Sequence, residues 1–151
     1  MQRIPGEIPD PADDAVSVLV VAGDTILAET LVKIAGADGY FATSVGRGWL
    51  ALEHVRKTRP EIVLLASELP DMHGMALLKY IRSVSPETLV IVTTGFAMGT
   101  SNIQASEAGA YDSLPVPFTS TRLRLLLGRA ARHARQIREN TDPGAQAEEG
   151  T

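Results

Sequence analysis

The 151-residue chain contains no cysteine. Disulfides, thiolate metal sites and cysteine nucleophiles are therefore excluded, and nothing ties the chain to an oxidising compartment. No apolar run approaches the roughly 18 residues that a membrane span requires. The opening stretch from Met1 to Asp10 also lacks the apolar segment of a secretory signal. The expected location is the cytoplasm, with no membrane partner. His54, His73 and His133 have no ligand spacing, so neither a metal nor a cofactor is expected from them. Gly46-Arg47-Gly48 lacks the rest of a dinucleotide fingerprint and reads as a turn. A net charge of -4 argues against non-specific nucleic-acid binding by the whole chain, and no direct nucleic-acid partner is expected.

What is present is 44% hydrophobic residues in a chain long enough for one well-buried core and too short for two ordinary domains. The central stretch runs from Glu61 to Gly74. Its apolar run Ile62 to Leu65 ends in a small residue and a loop bounded by Pro70 and Gly74, which predicts a buried parallel strand opening on a surface crevice. Open α/β sheets keep their chemistry at such strand ends.

Val16 to Val21 predicts the first strand, and Asp24 caps a helix through Gly36 with Leu27, Leu31 and Ile34 facing the sheet. Tyr40 to Val45 forms the second strand, and Trp49 to Thr58 the second helix. Leu77, Leu78 and Ile81 give the third helix its apolar face before Ser85-Pro86 breaks it. Leu89 to Thr94 is the fourth strand. Met98 to Ala108 predicts the fourth and least stable helix, with Ile103 its one large aliphatic. Tyr111 to Leu114 is the fifth strand, and Thr119 or Ser120 caps the last helix. There Leu123, Leu127, Ala130, Ala134 and Ile137 make an apolar face, and Arg122, Arg129, Arg132, Arg135 and Arg138 make the rest basic. The expected organisation is a disordered lead-in over 1–15, one domain over 16–138 and a disordered acidic tail over 139–151. Strands alternating with helices imply a parallel sheet covered on both faces.

From about Val16 to Arg135 the chain resembles the receiver domain of two-component response regulators. The landmarks are Val18-Leu19-Val20-Val21, Gly39-Tyr40, Gly48 with Ala51-Leu52, Pro60 to Leu65, Leu69 to Gly74, Val90 to Thr94, Gly109-Ala110 and Pro117-Phe118. The resemblance implies a flavodoxin-like (βα)5 α/β fold, a doubly wound parallel five-stranded sheet in the order 2-1-3-4-5. It also implies a cis peptide at Val116-Pro117 and a role in phosphorelay signal transduction.

Receivers carry an acidic pair that binds Mg²⁺ after the first strand, a phosphoacceptor Asp after the third, a Thr or Ser after the fourth and a Lys before the fifth-strand proline. Carried over by position, the acidic pair becomes Ala22 and Gly23, the acceptor Ala66 and the lysine Val116. Only Thr94 matches. The aromatic that switches position becomes Ser113. Asp24 alone cannot replace the oxygen ligands that Mg²⁺ demands, and phosphoryl transfer lacks its charge neutralisation. The replacements are coherent as a set, since a lysine left without its carboxylates would be a buried unpaired charge.

The expectation is a non-enzymatic pseudo-receiver that acts by phosphorylation-independent protein–protein interaction, without a cofactor. The alternative is a still-switchable receiver with an unusual acceptor among Ser67, Glu68, Asp71 and His73, and a third reading is a small-ligand binder using the vacated crevice. Trp49 and Leu50 occupy positions where receivers are usually polar, and together with Ser113, Arg122, Arg129, Arg132 and Arg135 they form the candidate interaction surface. The expected partner is a signalling protein or one related to histidine kinases. A second copy docked through the fourth helix, fifth strand and last helix is the other arrangement. No effector domain follows residue 140, so the chain reads as a stand-alone adaptor or a domain cut from a longer protein.

Overall fold

Continuous apolar runs become strands here because a parallel sheet covered by helices buries both faces of each strand. The computed structural model describes residues 15–95 and 101–141. Residues 1–14 of the expected lead-in, the start of the expected fourth helix (Met98 to Thr100) and residues 142–151 of the expected tail lie outside the described residues. The strands are β1 (Ser17–Val21), β2 (Phe41–Val45), β3 (Ile62–Leu65), β4 (Leu89–Thr94) and β5 (Asp112–Pro115). Between and after them lie α1 (Thr25–Ala37), α2 (Gly48–Thr58), α3 (Gly74–Val84), α4 (Asn102–Glu107) and α5 (Ser120–Thr141). All neighbouring strands are parallel, in the order β2-β1-β3-β4-β5. This is the flavodoxin-like, doubly wound arrangement expected, and it gathers the strand C-termini along one edge.

Side chains alternate across the sheet. Val18, Val20, Ile62, Leu64, Ile91 and Leu114 face one core with α1 and α5, whereas Leu19, Val21, Val63, Leu65, Val90 and Val92 face the other with α2 and α3. Helix α3 buries Leu77, Leu78 and Ile81 as its spacing predicts. Helix α1 is rotated from the expected face. It buries Ala28, Leu31 and Ala35 and leaves Leu27 and Ile34 partly covered at the flanks. The two alanines let its backbone approach the sheet closely. Helix α5 buries Leu123, Leu127, Ala130 and Ala134 as expected, together with Leu126 and Ala131, and it continues to Thr141, past the domain end expected at 138.

Helix α4 has only six residues. Ile103 does not anchor it, because its side chain is 70% exposed and Ala105 is the buried position. The cause is rotational. Asn102 is turned toward β4 and β5, and the next residue lies about 100° further round the helix.

The opposite edge of the sheet is tied by polar contacts. The Ser17 and Glu61 pair bond reciprocally, the Glu61 N–H to Ser17 Oγ at 2.9 Å and the Ser17 N–H to Glu61 Oε1 at 3.4 Å. Arg138 of α5 donates to both oxygens of Glu61, with Nε to Oε2 at 3.1 Å. One carboxylate therefore joins β1, β3 and α5 by a fork-shaped, charge-assisted contact. Glu61→Ala is expected to lower stability by about 1–2 kcal/mol. Arg129→Ala, which breaks only the exposed 3.2 Å pair with Asp112, is expected to stay within about 0.5 kcal/mol. Urea unfolding of the two variants checks that ranking.

Candidate functional site

The C-terminal strand edge brings together every position singled out for chemistry. Ala22 follows β1 with its N–H on Val45 O at 3.1 Å, and Ala66 follows β3 with its N–H on Val21 O at 2.8 Å. Both are buried and present only methyl groups. Val116 follows β5, donates its N–H to Thr94 O at 2.8 Å and precedes a cis bond to Pro117. A Cβ on Gly23 would lie 2.9 Å from Pro70 Cδ, so the β3–α3 loop closes directly over that backbone. Asp24 does cap α1, its Oδ1 accepting from the Leu27 N–H at 3.1 Å.

Thr94 is buried at the end of β4 and donates its hydroxyl to Asn102 Oδ1 at 2.6 Å. Ser113 of β5 donates to the same oxygen at 3.1 Å. Neighbouring Thr93 behaves oppositely, since its buried Oγ1 has no partner among the described residues.

The loop from Ser67 to His73 is held at each candidate position. Ser67 is fully buried and donates its hydroxyl to Thr93 O at 2.6 Å. Glu68 and His73 form an isolated bridge, with Glu68 Oε1 3.8 Å from His73 Nε2, while His73 Nδ1 caps α3 by accepting from the Met75 N–H at 3.2 Å. Asp71 accepts from the Gly48 N–H at 2.8 Å and the Trp49 N–H at 3.0 Å. It thus caps α2, whose own preceding residue, Arg47, makes no side-chain cap. These N–H groups, Trp49 first and then Gly48, hold the Asp71 carboxyl below the usual carboxylate range. Gly74 is required where it stands, because a Cβ there would lie 2.6 Å from the carbonyl oxygens of Ala66 and Ser67.

The sequence model of the response regulator receiver domain matches residues 18–127. The chain belongs to this family. It is 35% identical to the probable transcriptional regulatory protein TcrX of Mycobacterium tuberculosis over 118 residues, covering 76% of this chain and 50% of that protein. It is 32% identical to the DNA-binding response regulator MtrA of Mycobacterium leprae over 129 residues, covering 85% and 54%. The chain therefore spans about half the length of these curated relatives. Among solved structures, NtrX from Brucella abortus superposes with a TM-score of 0.76 at 28% identity, over 85% of this chain and 29% of that one. The receiver domain of a LuxO repressor protein from Vibrio parahaemolyticus shares the fold, with a TM-score of 0.77 at 24% identity over 85% and 98%.

The residues at this receiver's strand edge do not fit the Mg²⁺ ion that the resemblance implies. Ala22, Gly23 and Ala66 offer no side-chain oxygen, Asp24 is bonded to the α1 backbone, and no group of three or more His, Cys, Asp or Glu among the described residues could hold a metal. A cleft of about 260 Å³ bordering α5 lies at the other edge of the sheet beside Glu61, Thr88 and Arg138, away from the strand C-termini. Among the described residues no helix is long and apolar enough to cross a membrane.

Of the candidate surface, Trp49 is 67% and Leu50 49% exposed, so neither is packed into its own core. The arginines of α5 divide. Arg124 pairs with Asp38 at 2.9 Å, Arg129 with Asp112 at 3.2 Å and Arg138 with Glu61. Arg122, Arg132 and Arg135 are exposed, with no salt bridge among the described residues. The basic face is thus partly consumed inside the domain. Asn102 and the capping role of Asp71 were missed. A signal for the second was present, since α2 begins without a Ser, Thr, Asp or Asn at its cap.

Asp71 contributes stability through a depressed folded-state pKa, so its contribution is complete above the unfolded value near about 3.9 and fades as pH falls through the folded one. Asp71→Ala is expected to lower the urea midpoint at pH 7, with the gap to the parent narrowing below about pH 4. A gap independent of pH would refute the charged cap.

Proposed function

We propose that this receiver works as a pseudo-receiver, a signal-transduction module that binds its partner through fixed surfaces without accepting a phosphoryl group. The observation that carries this reading is the joint presence of Ala22, Gly23, Ala66 and Val116 at the strand edge, with Pro70 seated against Gly23. Neither an acceptor carboxylate nor a lysine stands at those positions. A substitute acceptor at Ser67 or Asp71 would have to leave an existing hydrogen bond. Ser67 is buried and bonded, Asp71 caps α2, and His73 caps α3 beside Glu68. Incubation with Mg²⁺ and acetyl phosphate, beside an ordinary receiver as positive control, is expected to leave the intact mass unchanged. One added phosphoryl group would overturn the reading, and its mapped position would identify the acceptor.

The partner is a signalling protein of the kind receivers meet, histidine-kinase-related proteins included, and its contact segment is acidic. Arg122 and Arg132, neither in a salt bridge among the described residues, lie on the exposed side of α5 with Leu125, which is 64% exposed. Arg122, Arg132 and Arg135 of α5 have no salt bridge among the described residues, so two copies joined through α4, β5 and α5 would bring these like charges together. Light scattering at low ionic strength is expected to report a monomer. A dimer abolished by Arg132→Glu would establish the homotypic face instead.

A further inference from the structure

The Asn102 side chain occupies the one place where β4, β5 and α4 meet. Its Oδ1 accepts both the Thr94 hydroxyl at 2.6 Å and the Ser113 hydroxyl at 3.1 Å, filling both lone pairs of one carbonyl oxygen. Asn102 is the first residue of α4, directly after the cap. The helix start is itself fixed by a reciprocal box, the Gln104 N–H on Ser101 Oγ at 3.1 Å and the Ser101 N–H on Gln104 Oε1 at 2.9 Å. Orientation of Asn102 is therefore set from the helix side, and the two hydroxyls read it from the sheet side.

We propose that Asn102 is a permanent latch that holds α4 against β4 and β5 in a single arrangement and so positions the α4–β5–α5 face. Two facts make the bond a commitment. Thr94 is 1% exposed, so its hydroxyl has no water to turn to. Ala66 offers no polar group that could draw it away toward β3. Ser113, a small hydroxyl residue on the strand facing α4, fills the remaining lone pair where a large ring would have no such bond to make. The latch also accounts for the exposure of Ile103, which the orientation of Asn102 directs to solvent.

The inference deepens the phosphorylation-independent reading and rests on it for its functional meaning. Its test uses no phosphodonor, so the two can fail separately. Hydrogen exchange of the full chain is compared for the parent, Asn102→Ala, Thr94→Val, Ser113→Ala and Asn102→Ala with Thr94→Val. Asn102→Ala, which removes the part-buried bond from Thr94 and the exposed one from Ser113, is expected to speed amide exchange in 101–110 about tenfold, while β1 and β3 keep the parent rates. Ser113→Ala is expected to act in the same direction and more weakly. The Asn102→Ala, Thr94→Val pair is expected to be less than additive, since each removes the same contact. Unchanged exchange in 101–110 for Asn102→Ala, or additive effects in the pair, would overturn the latch. Should Asn102→Ala unfold globally, the isosteric Thr94→Val carries the same decision alone.

Discussion

A charge at the buried edge of a parallel sheet is stable only while its counter-charges are present, because removing one partner leaves the other desolvated and alone. That constraint bears on Ala22 and Ala66, the buried positions at the strand edge of this receiver. Ala22, Gly23, Ala66 and Val116 are all uncharged, so no member of the group asks anything of another. Pro70 sits against Gly23 at a distance that would exclude a Cβ. Neutrality and closure are two sides of one arrangement.

The polar groups that remain have found local partners. The Ser67 hydroxyl turns to a backbone carbonyl of β4, Thr94 and Ser113 turn to Asn102, and Asp71 turns outward to the first turn of α2. Each bond joins two elements across the edge where a receiver normally places its reaction centre. Thr93 is the exception, its buried Oγ1 having no partner among the described residues. The loop after β3 is thereby fastened to α2 and α3 at separate points, and the exposed Trp49 and Leu50 project from a helix start clamped by Asp71.

The sheet was legible in the sequence because burial on both faces writes itself as unbroken runs, as in Ile62 to Leu65 and Leu89 to Val92. The third helix was legible from Leu77, Leu78 and Ile81 for the related reason that only one face is buried. Helix α1 misled because size was taken as the guide to burial. Ala28 and Ala35 face inward because small side chains allow close approach, an outcome that hydropathy spacing ranks below Leu27 and Ile34. The fourth helix was the least legible element. Its orientation follows from an asparagine whose partners lie on strands eight and eleven residues away, and polar contacts at such separations leave no periodic trace. The strand-end positions were legible through family resemblance, whereas the closing of Pro70 on Gly23 and the cap from Asp71 exist only in three dimensions.

Fixing α4 has a consequence for affinity as well as for shape. A receiver whose binding-competent form is a minor state binds its partner with an affinity reduced by the fraction that is competent. Holding Thr94, Asn102 and Ser113 together removes that reduction under the proposed reading, because the face built by α4, β5 and α5 is the same before and after the encounter. Exposed Ile103 and Leu125 and the outward Arg122 and Arg132 then form a preorganised surface, where binding incurs little ordering of the backbone. Control over such a surface cannot come from a population shift within the domain. It passes instead to whatever sets the amount and the accessibility of the two partners, since a ligand that meets only one state has no second state to shift.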